Sequence, residues 1–418
     1  MTLYCARHLL PIDSPGIEDG ALLVGNGRII AVGLRSELAA EYPAATIVDF
    51  GDAVILPPLV NAHTHLELTD FPGWSAAAGE GAQGDFVDWI LNLVRVRLTV
   101  DAAAARASLQ NGLQQSLAAG TGAIGDILTT LDLAAAYVDT PLAGRVFIEV
   151  LGIDPTAVAA RLAVISEFLA TPPAPSLAWG LSPHAPYTLS RETYGMAREF
   201  ARELGLPLAT HRAESVWERG FLTNGSGILQ RLHTSVGWSL PPDPPLFGLD
   251  GGLVVHGVHL NDAEIALVAH SGSPVVLCPR SNSAFDDARA PLAALHRAGV
   301  PLAIGTDSRA SSPSLSVWDE LAFARTWFAG TLEPEQWLRI ATIGGAKALG
   351  VDARIGSLAG GLPASFQIVA TPTAATKATL TEALCSAGSD IEVQALFLAG
   401  ENVLPHPSAL PIMSPPVS

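Results

Sequence analysis

His63 and His65 stand two apart in Pro57-Pro58-Leu59-Val60-Asn61-Ala62-His63-Thr64-His65-Leu66-Glu67, at the end of an apolar run that reads as a strand over 53–65. Side chains two apart on a strand share a face, so these imidazoles can hold one ion. The bland alternative is a pair of satisfied core histidines. Further along, titratable groups recur at the carboxyl ends of other apolar runs: Glu149, His184 in Ser182-Pro183-His184-Ala185-Pro186-Tyr187, His211 and Glu214, His256, Cys278 in Cys278-Pro279-Arg280-Ser281-Asn282, and Asp307 in Gly305-Thr306-Asp307-Ser308. Polar groups at so many strand ends are a poor way to build a core; together they read as one site.

Positioning such residues needs a repeated scaffold. Strands are expected at 53–65, 122–128, 144–151, 177–182, 206–210, 252–258, 274–278 and 301–305, with helical segments between them. Ser190 and Asn261 stand where they would cap helices. Eight strands alternating with helices are the pattern of a (β/α)8 barrel, an α/β fold. The runner-up, a doubly wound open sheet, lacks a Gly-x-Gly-x-x-Gly after an early strand. Before the barrel, two apolar runs flank Asn26-Gly27, a hairpin signal. After about 352 the helices are expected to stop, with strands near 367–370 and 392–398 and an irregular Pro-rich tail from 405. The expected organisation is 1–52 and 353–418 as the two parts of a small composite β-sandwich subdomain, around a barrel over 53–352. Two connections, 66–85 and 216–251, are long enough to be functional loops over the site.

Composition narrows the chemistry. With 418 residues, 49% of them hydrophobic and 15% charged, the chain can bury a large core. A net charge of −17 argues against a nucleic-acid or anionic-membrane partner, and leaves a small-molecule substrate; a homo-oligomer stays open. Cys5, Cys278 and Cys385 are far apart, which excludes a disulfide framework. No signal peptide or membrane span is read, so a cytoplasmic location is expected. Lys347 and Lys377 are the only lysines.

The strand-end residues jointly resemble the amidohydrolase superfamily, in its branch of aminohydrolases that includes guanine, adenosylhomocysteine and aminofutalosine deaminases and triazine chlorohydrolases. The resemblance covers about 53–350, and the hairpin and tail fit that family's composite β domain. It implies that His63, His65, His211 and Asp307 bind one metal, Zn²⁺ by donor type with Fe²⁺ as the second option. Two-metal members usually bridge their ions with a carboxylated lysine on the fourth strand; no lysine precedes Lys347, so one ion is expected. Glu149 could bridge ions in principle, but a structural or supporting role is the preferred reading.

The resemblance also implies roles for Glu214, His256 and Asp307 in catalysis: Glu214 protonating a ring nitrogen, His256 orienting the attacking water, Asp307 relaying its proton. His184 resembles the family's substrate-contacting histidine. Phe86 and Trp89 are candidates to roof a flat ring. Arg280 and Arg212 are candidates for binding a substrate carboxylate. The Ser-Pro-His-Ala-Pro-Tyr and Cys-Pro-Arg-Ser-Asn stretches point towards aminofutalosine deaminases of the menaquinone route. The alternatives are adenosylhomocysteine, methylthioadenosine or guanine deamination, a triazine-type chlorohydrolase, and a non-catalytic relative. The family's Gly-Lys-x-Ala-Asp-hydrophobic stretch is replaced here by Gly361-Leu362-Pro363-Ala364-Ser365-Phe366, and Cys278 is expected to be packing.

Overall fold

Eight parallel strands close a barrel in the computed structural model: Leu59–Thr64, Thr121–Leu128, Ala143–Val150, Ala178–Pro183, Ala209–Arg212, Leu253–His256, Val275–Leu277 and Leu302–Ile304. The structure describes residues 1–79, 84–173, 176–239, 248–249, 251–285, 288–373 and 375–404. The first four strands and the last four pair in chain order. Parallel bridges Leu181–Leu208 and Thr64–Asp307 join the two groups and close the ring. The second bridge is what seats Asp307 beside the end of the first strand. Gly305 makes that approach feasible, because a Cβ there would lie 2.7 Å from the His63 carbonyl oxygen.

Burial explains why these strands read as continuous apolar runs: most are covered on both faces. Val60, Ala62, Ala123, Val255 and Ala303 form one cluster with Ala346 and Leu349 of helix Gly345–Leu349. The helices begin where the sequence supplies caps. The Ser190 hydroxyl accepts from Thr193 N ahead of Arg191–Leu204, and Asn261 accepts from Glu264 N ahead of Asp262–Ser271.

Outside the barrel lies one eight-stranded mixed sheet built from both parts of the chain. The hairpin Ile17–Gly25 to Arg28–Leu34 turns at Asn26 (φ 52°) and Gly27 (φ 71°), as the Asn-Gly pair predicts. Tyr4 from the N-terminal strands lies 5.0 Å from the Phe366 ring and 5.1 Å from Phe397, so the sheet folds over an aromatic core. The departure at 361–366 is absorbed here: Ala364 N donates to Gly27 O, and Ala399 N to the Ser365 hydroxyl.

Three expectations are corrected. The run 53–65 is two strands. Pro57-Pro58 breaks it, so that Ala53–Leu56 pairs antiparallel with Phe366–Ala370 in the outer sheet while Leu59–Thr64 enters the barrel. Helices also continue past 352: Leu380–Ala387 packs Leu380, Leu384 and Cys385 into the cluster of Trp318 and Leu321 from barrel helix Val317–Trp327. Finally, the long connections carry structure of their own, with helix Phe71–Ala77 in the first and Val216–Asn224 and Leu229–Val236 in the second. The Pro-rich stretch 241–245 and the tail from 405 lie outside the described residues.

Candidate metal centre and active site

The first barrel strand delivers His63, and His65 follows where the chain turns into the short helix Leu66–Leu68. The fifth, sixth and eighth strands deliver His211, His256 and Asp307. His65 Nε2 lies 3.2 Å from His211 Nε2, and both His63 Nε2 and His65 Nε2 lie 3.5 Å from Asp307 Oδ1. The ring edges therefore converge on one point.

Hydrogen bonds behind the rings fix their tautomers. His211 Nδ1 donates to the His184 carbonyl at 3.1 Å, which leaves Nε2 a bare lone pair. His256 is the opposite case. Asn282 Nδ2 donates to its Nδ1 at 3.0 Å, so in the neutral ring the proton sits on Nε2, 3.6 Å from Glu214 Oε1. His211 thus presents a ligand atom, and His256 a donor. The Asp307 carboxylate is held by Ser281 Oγ (2.6 Å), Ser311 Oγ (3.3 Å) and Ser308 N (2.8 Å).

Burial sets the electrostatics. It pushes the His65 pKa down to about 4, helped by His63, and that of His256 down to about 3. His211 is driven well below the ordinary imidazole value by burial and by His63. Burial alone would raise Asp307; the adjacent His63 ring, 3.5 Å away, and the neighbouring His65 and His256 imidazoles hold it well below the usual carboxylate range. A neutral imidazole set facing an ionised carboxylate is the state that binds a cation. His63 Nε2 is buried without a hydrogen-bond partner among the described residues, a vacancy of bonding that a cation fills. The donor set of imidazoles and one carboxylate therefore fits a divalent ion.

Backbone strain gathers at the same place. Of the seven non-glycine residues with positive φ among those described, Ala213, His256 and Asp307 follow the fifth strand or end the sixth and eighth.

Around this centre, Glu214 is buried beside His256. His184 Nδ1 shares a hydrogen bond with the Thr188 hydroxyl (2.8 Å), and its Nε2 lies 4.0 Å from Glu149 Oε1. Glu149 also accepts from Thr129 Oγ1 at 2.8 Å. It lies beside His184 and within electrostatic reach of His65. Phe86 and Trp89 do line a cavity, of about 550 Å³, together with Trp217, Phe285, Arg309 and Ser311. The Phe86 ring stacks between Trp89 (5.9 Å) and Trp217 (5.7 Å).

The two proposed carboxylate clamps are corrected. Arg212 is buried and bonded to Glu218 (2.7 Å) and Glu264 (3.0 Å). Arg280 is buried against Glu320 (2.5 Å) and also donates to Ser314 Oγ, Ser314 O and Ser316 O. Both guanidinium groups are committed to holding loops, and neither lines the cavity. Cys278 is buried and its thiol is pushed well above the ordinary value by burial, as packing requires. Sequence reasoning missed Asn282, Ser281, Ser311, Trp217, Phe285 and Arg309. The signal for Arg309 was its place two residues after Asp307 in the loop beyond the eighth strand.

The amidohydrolase family profile matches residues 54–403, most of the chain. The chain belongs to the amidohydrolase family. A bacterial imidazolonepropionase-like composite domain also matches over 20–45, within the outer sheet of this amidohydrolase. Among curated relatives, an aminodeoxyfutalosine deaminase of Deinococcus radiodurans is 35% identical over 364 residues, covering 81% of this chain and 82% of the relative. A 5-methylthioadenosine/S-adenosylhomocysteine deaminase of Nitratidesulfovibrio vulgaris is 32% identical over 371 residues, covering 84% and 80%. Among solved structures, Helicobacter pylori aminofutalosine deaminase in complex with methylthio-coformycin superposes with a TM-score of 0.84 at 23% identity, over 97% of this chain and all of that one. An adenosine deaminase from Xanthomonas campestris with bound zinc gives a TM-score of 0.74 at 27% identity, over 96% and 92%.

Proposed function

We propose that this amidohydrolase is a hydrolytic deaminase of adenine nucleosides, using one divalent ion, zinc by donor type, held by His63, His65, His211 and Asp307. The observation that carries the reading is the opposed tautomers of His211 and His256. One ring offers a lone pair to an ion, and the other turns an N–H towards Glu214. An ion held by this set supplies the nucleophile by making water acidic enough to react near neutral pH. The chain's own groups do the rest. His256 Nε2–H orients the water, and Asp307 takes up its proton and hands it to the departing amino group. Glu214 gives a proton to the ring nitrogen next to C6 as that carbon is attacked, and ammonia leaves. His184, hydrogen-bonded to Thr188 and paired with Glu149, is placed to touch the substrate. Phe86 and Trp89 supply an aromatic wall for a flat ring.

Within that class, 6-aminodeoxyfutalosine is our first candidate, supported by the Deinococcus radiodurans relative. That substrate would put the chain in menaquinone biosynthesis. S-adenosylhomocysteine or 5′-methylthioadenosine is the second candidate, supported by the Nitratidesulfovibrio vulgaris relative. The buried, unpaired Cys5, Cys278 and Cys385 suit a reducing cytoplasm. Ammonia release should be measured over adenine nucleosides, guanine, pterins and triazines. Turnover of an adenine nucleoside supports the reading. Release confined to guanine, or chloride release from a triazine, would replace it.

A further inference from the structure

The cavity beside the candidate metal centre contains one cation among its described lining residues, and that cation pairs with no described residue. Arg309 lines it together with Phe86, Trp89, Trp217 and Phe285. Its Nε is buried without a hydrogen-bond partner, and the side chain pairs with no described residue. The residue is only partly buried, so its outer nitrogens can face the cavity, while the buried Nε–H is left unmatched. The acids on the same wall do not match it. Asp85 Oδ1 caps Val87 N and Asp88 N, Asp88 accepts from Asp85 N, and both carboxylates pair with Arg231. Two acids are spent, and one cation is left over.

The cavity also adjoins the reaction centre. Ser311, in its lining, donates to Asp307 Oδ2. Trp217 stands three residues past Glu214. Trp89 Nε1 donates to Ala310 O at 3.1 Å, which ties the aromatic wall to the residue after Arg309. From Phe86 the rings run on through Tyr187 (6.4 Å) to His184 (5.8 Å). Arg309 lines the cavity two residues beyond Asp307, on the same loop as Ser311.

Resting on the adenine-nucleoside reading above, we propose that Arg309 is the specificity-determining residue for a substrate whose group distal to the purine carries a carboxylate. Its planar fork matches a carboxylate in two parallel hydrogen bonds, and the aromatic wall takes the linking apolar part. This reassigns to Arg309 the role that Arg280 and Arg212 cannot fill.

The test compares ligands that share a purine nucleoside and differ in the distal arm, an amino acid with its carboxylate in S-adenosylhomocysteine and a methyl group in 5′-methylthioadenosine: these two as substrates, and their inosine counterparts as non-reacting ligands followed by tryptophan fluorescence. All measurements use the metal-loaded full chain. Arg309→Met should cost roughly 10- to 150-fold more in kcat/KM and in affinity for the carboxylate-bearing member than for the neutral one. Arg309→Lys, which keeps the charge, should recover part of that difference. Equal losses on both members would mean that Arg309 shapes the loop and would overturn the proposal, as would a wild-type protein that does not favour the carboxylate. If the wild type releases no ammonia from any adenine nucleoside, the deaminase reading falls. The inosine binding comparison then still decides Arg309 on its own.

Discussion

Glu214 and His256 face each other across 3.6 Å, and the proposed chemistry gives them opposite duties, one to give a proton and the other to keep one. Glu214→Gln keeps shape and removes the proton. It should retain its metal and lose at least about 10²-fold in turnover, the usual cost of removing a general acid–base; near wild-type turnover would refute the assignment. The Asn282 amide is the hidden partner, because it keeps the His256 proton on Nε2. Asn282→Asp replaces a donor by an acceptor and should pull that proton to Nδ1, with a loss of about 10²- to 10⁴-fold in activity at unchanged metal content and melting temperature. Metal loss in this variant would show instead that His256 is a ligand. The convergence of the candidate metal and acid–base residues was legible because each stands alone as a polar group at the end of an apolar run. Asn282 and Ser311 were not. They follow the strand ends in loops rich in Ser and Asn, where nothing in residue type separates a partner of the site from a turn former. Arg280 and Arg212 misled for a related reason: a sequence shows the cation but not the buried Glu320, Glu218 and Glu264 that occupy it.

Among the elements, the second barrel strand carries a charge problem of its own. Asp126 is buried, accepts from Leu66 N at 2.8 Å and from the Tyr137 hydroxyl, and so clamps the residue after His65. Burial pushes its pKa from 3.8 to about 8. A carboxyl raised on folding binds its proton more tightly in the native state. Its contribution to stability is full below about pH 4 and is lost as the pH rises through about 8. Denaturant unfolding of wild type and Asp126→Asn between about pH 5 and pH 8 should show the variant gaining stability relative to wild type as pH rises. A difference that stays constant with pH would mean that Asp126 is ionised throughout. The barrel strands themselves were readable from their apolar runs. The split at Pro57-Pro58 was not recognised because the residues on both sides are equally apolar, and only partner choice distinguishes them. Helix Leu380–Ala387 escaped for a similar reason, being short and following a stretch that reads as strand.

For the molecule as a whole, an ion that ties the first, fifth and eighth strands together binds the folded barrel and not the unfolded chain. Dialysis against a chelator should therefore lower the melting temperature, and adding back zinc should restore it together with close to one equivalent of bound metal. An unchanged melting temperature with the metal demonstrably gone would show that these side chains are organised without it.

The outer sheet has a consequence for how the chain is made. Ala53–Leu56 is bounded on one side by the N-terminal strand Thr2–Leu9 and on the other by Phe366–Ala370. During synthesis the first neighbour has already emerged, whereas the second is more than 300 residues away. Ala-Val-Ile-Leu, buried on every residue in the finished protein, must wait beside the ribosome with one edge open. The barrel that begins directly after it closes only when the eighth strand has been translated. Both unions are of high sequence separation, so the nascent protein folds late and is exposed to mispairing for most of its translation. The Pro57-Pro58 pair, which lacks two ladder donors, is the one interruption that stops this edge from running on into a longer sticky strand.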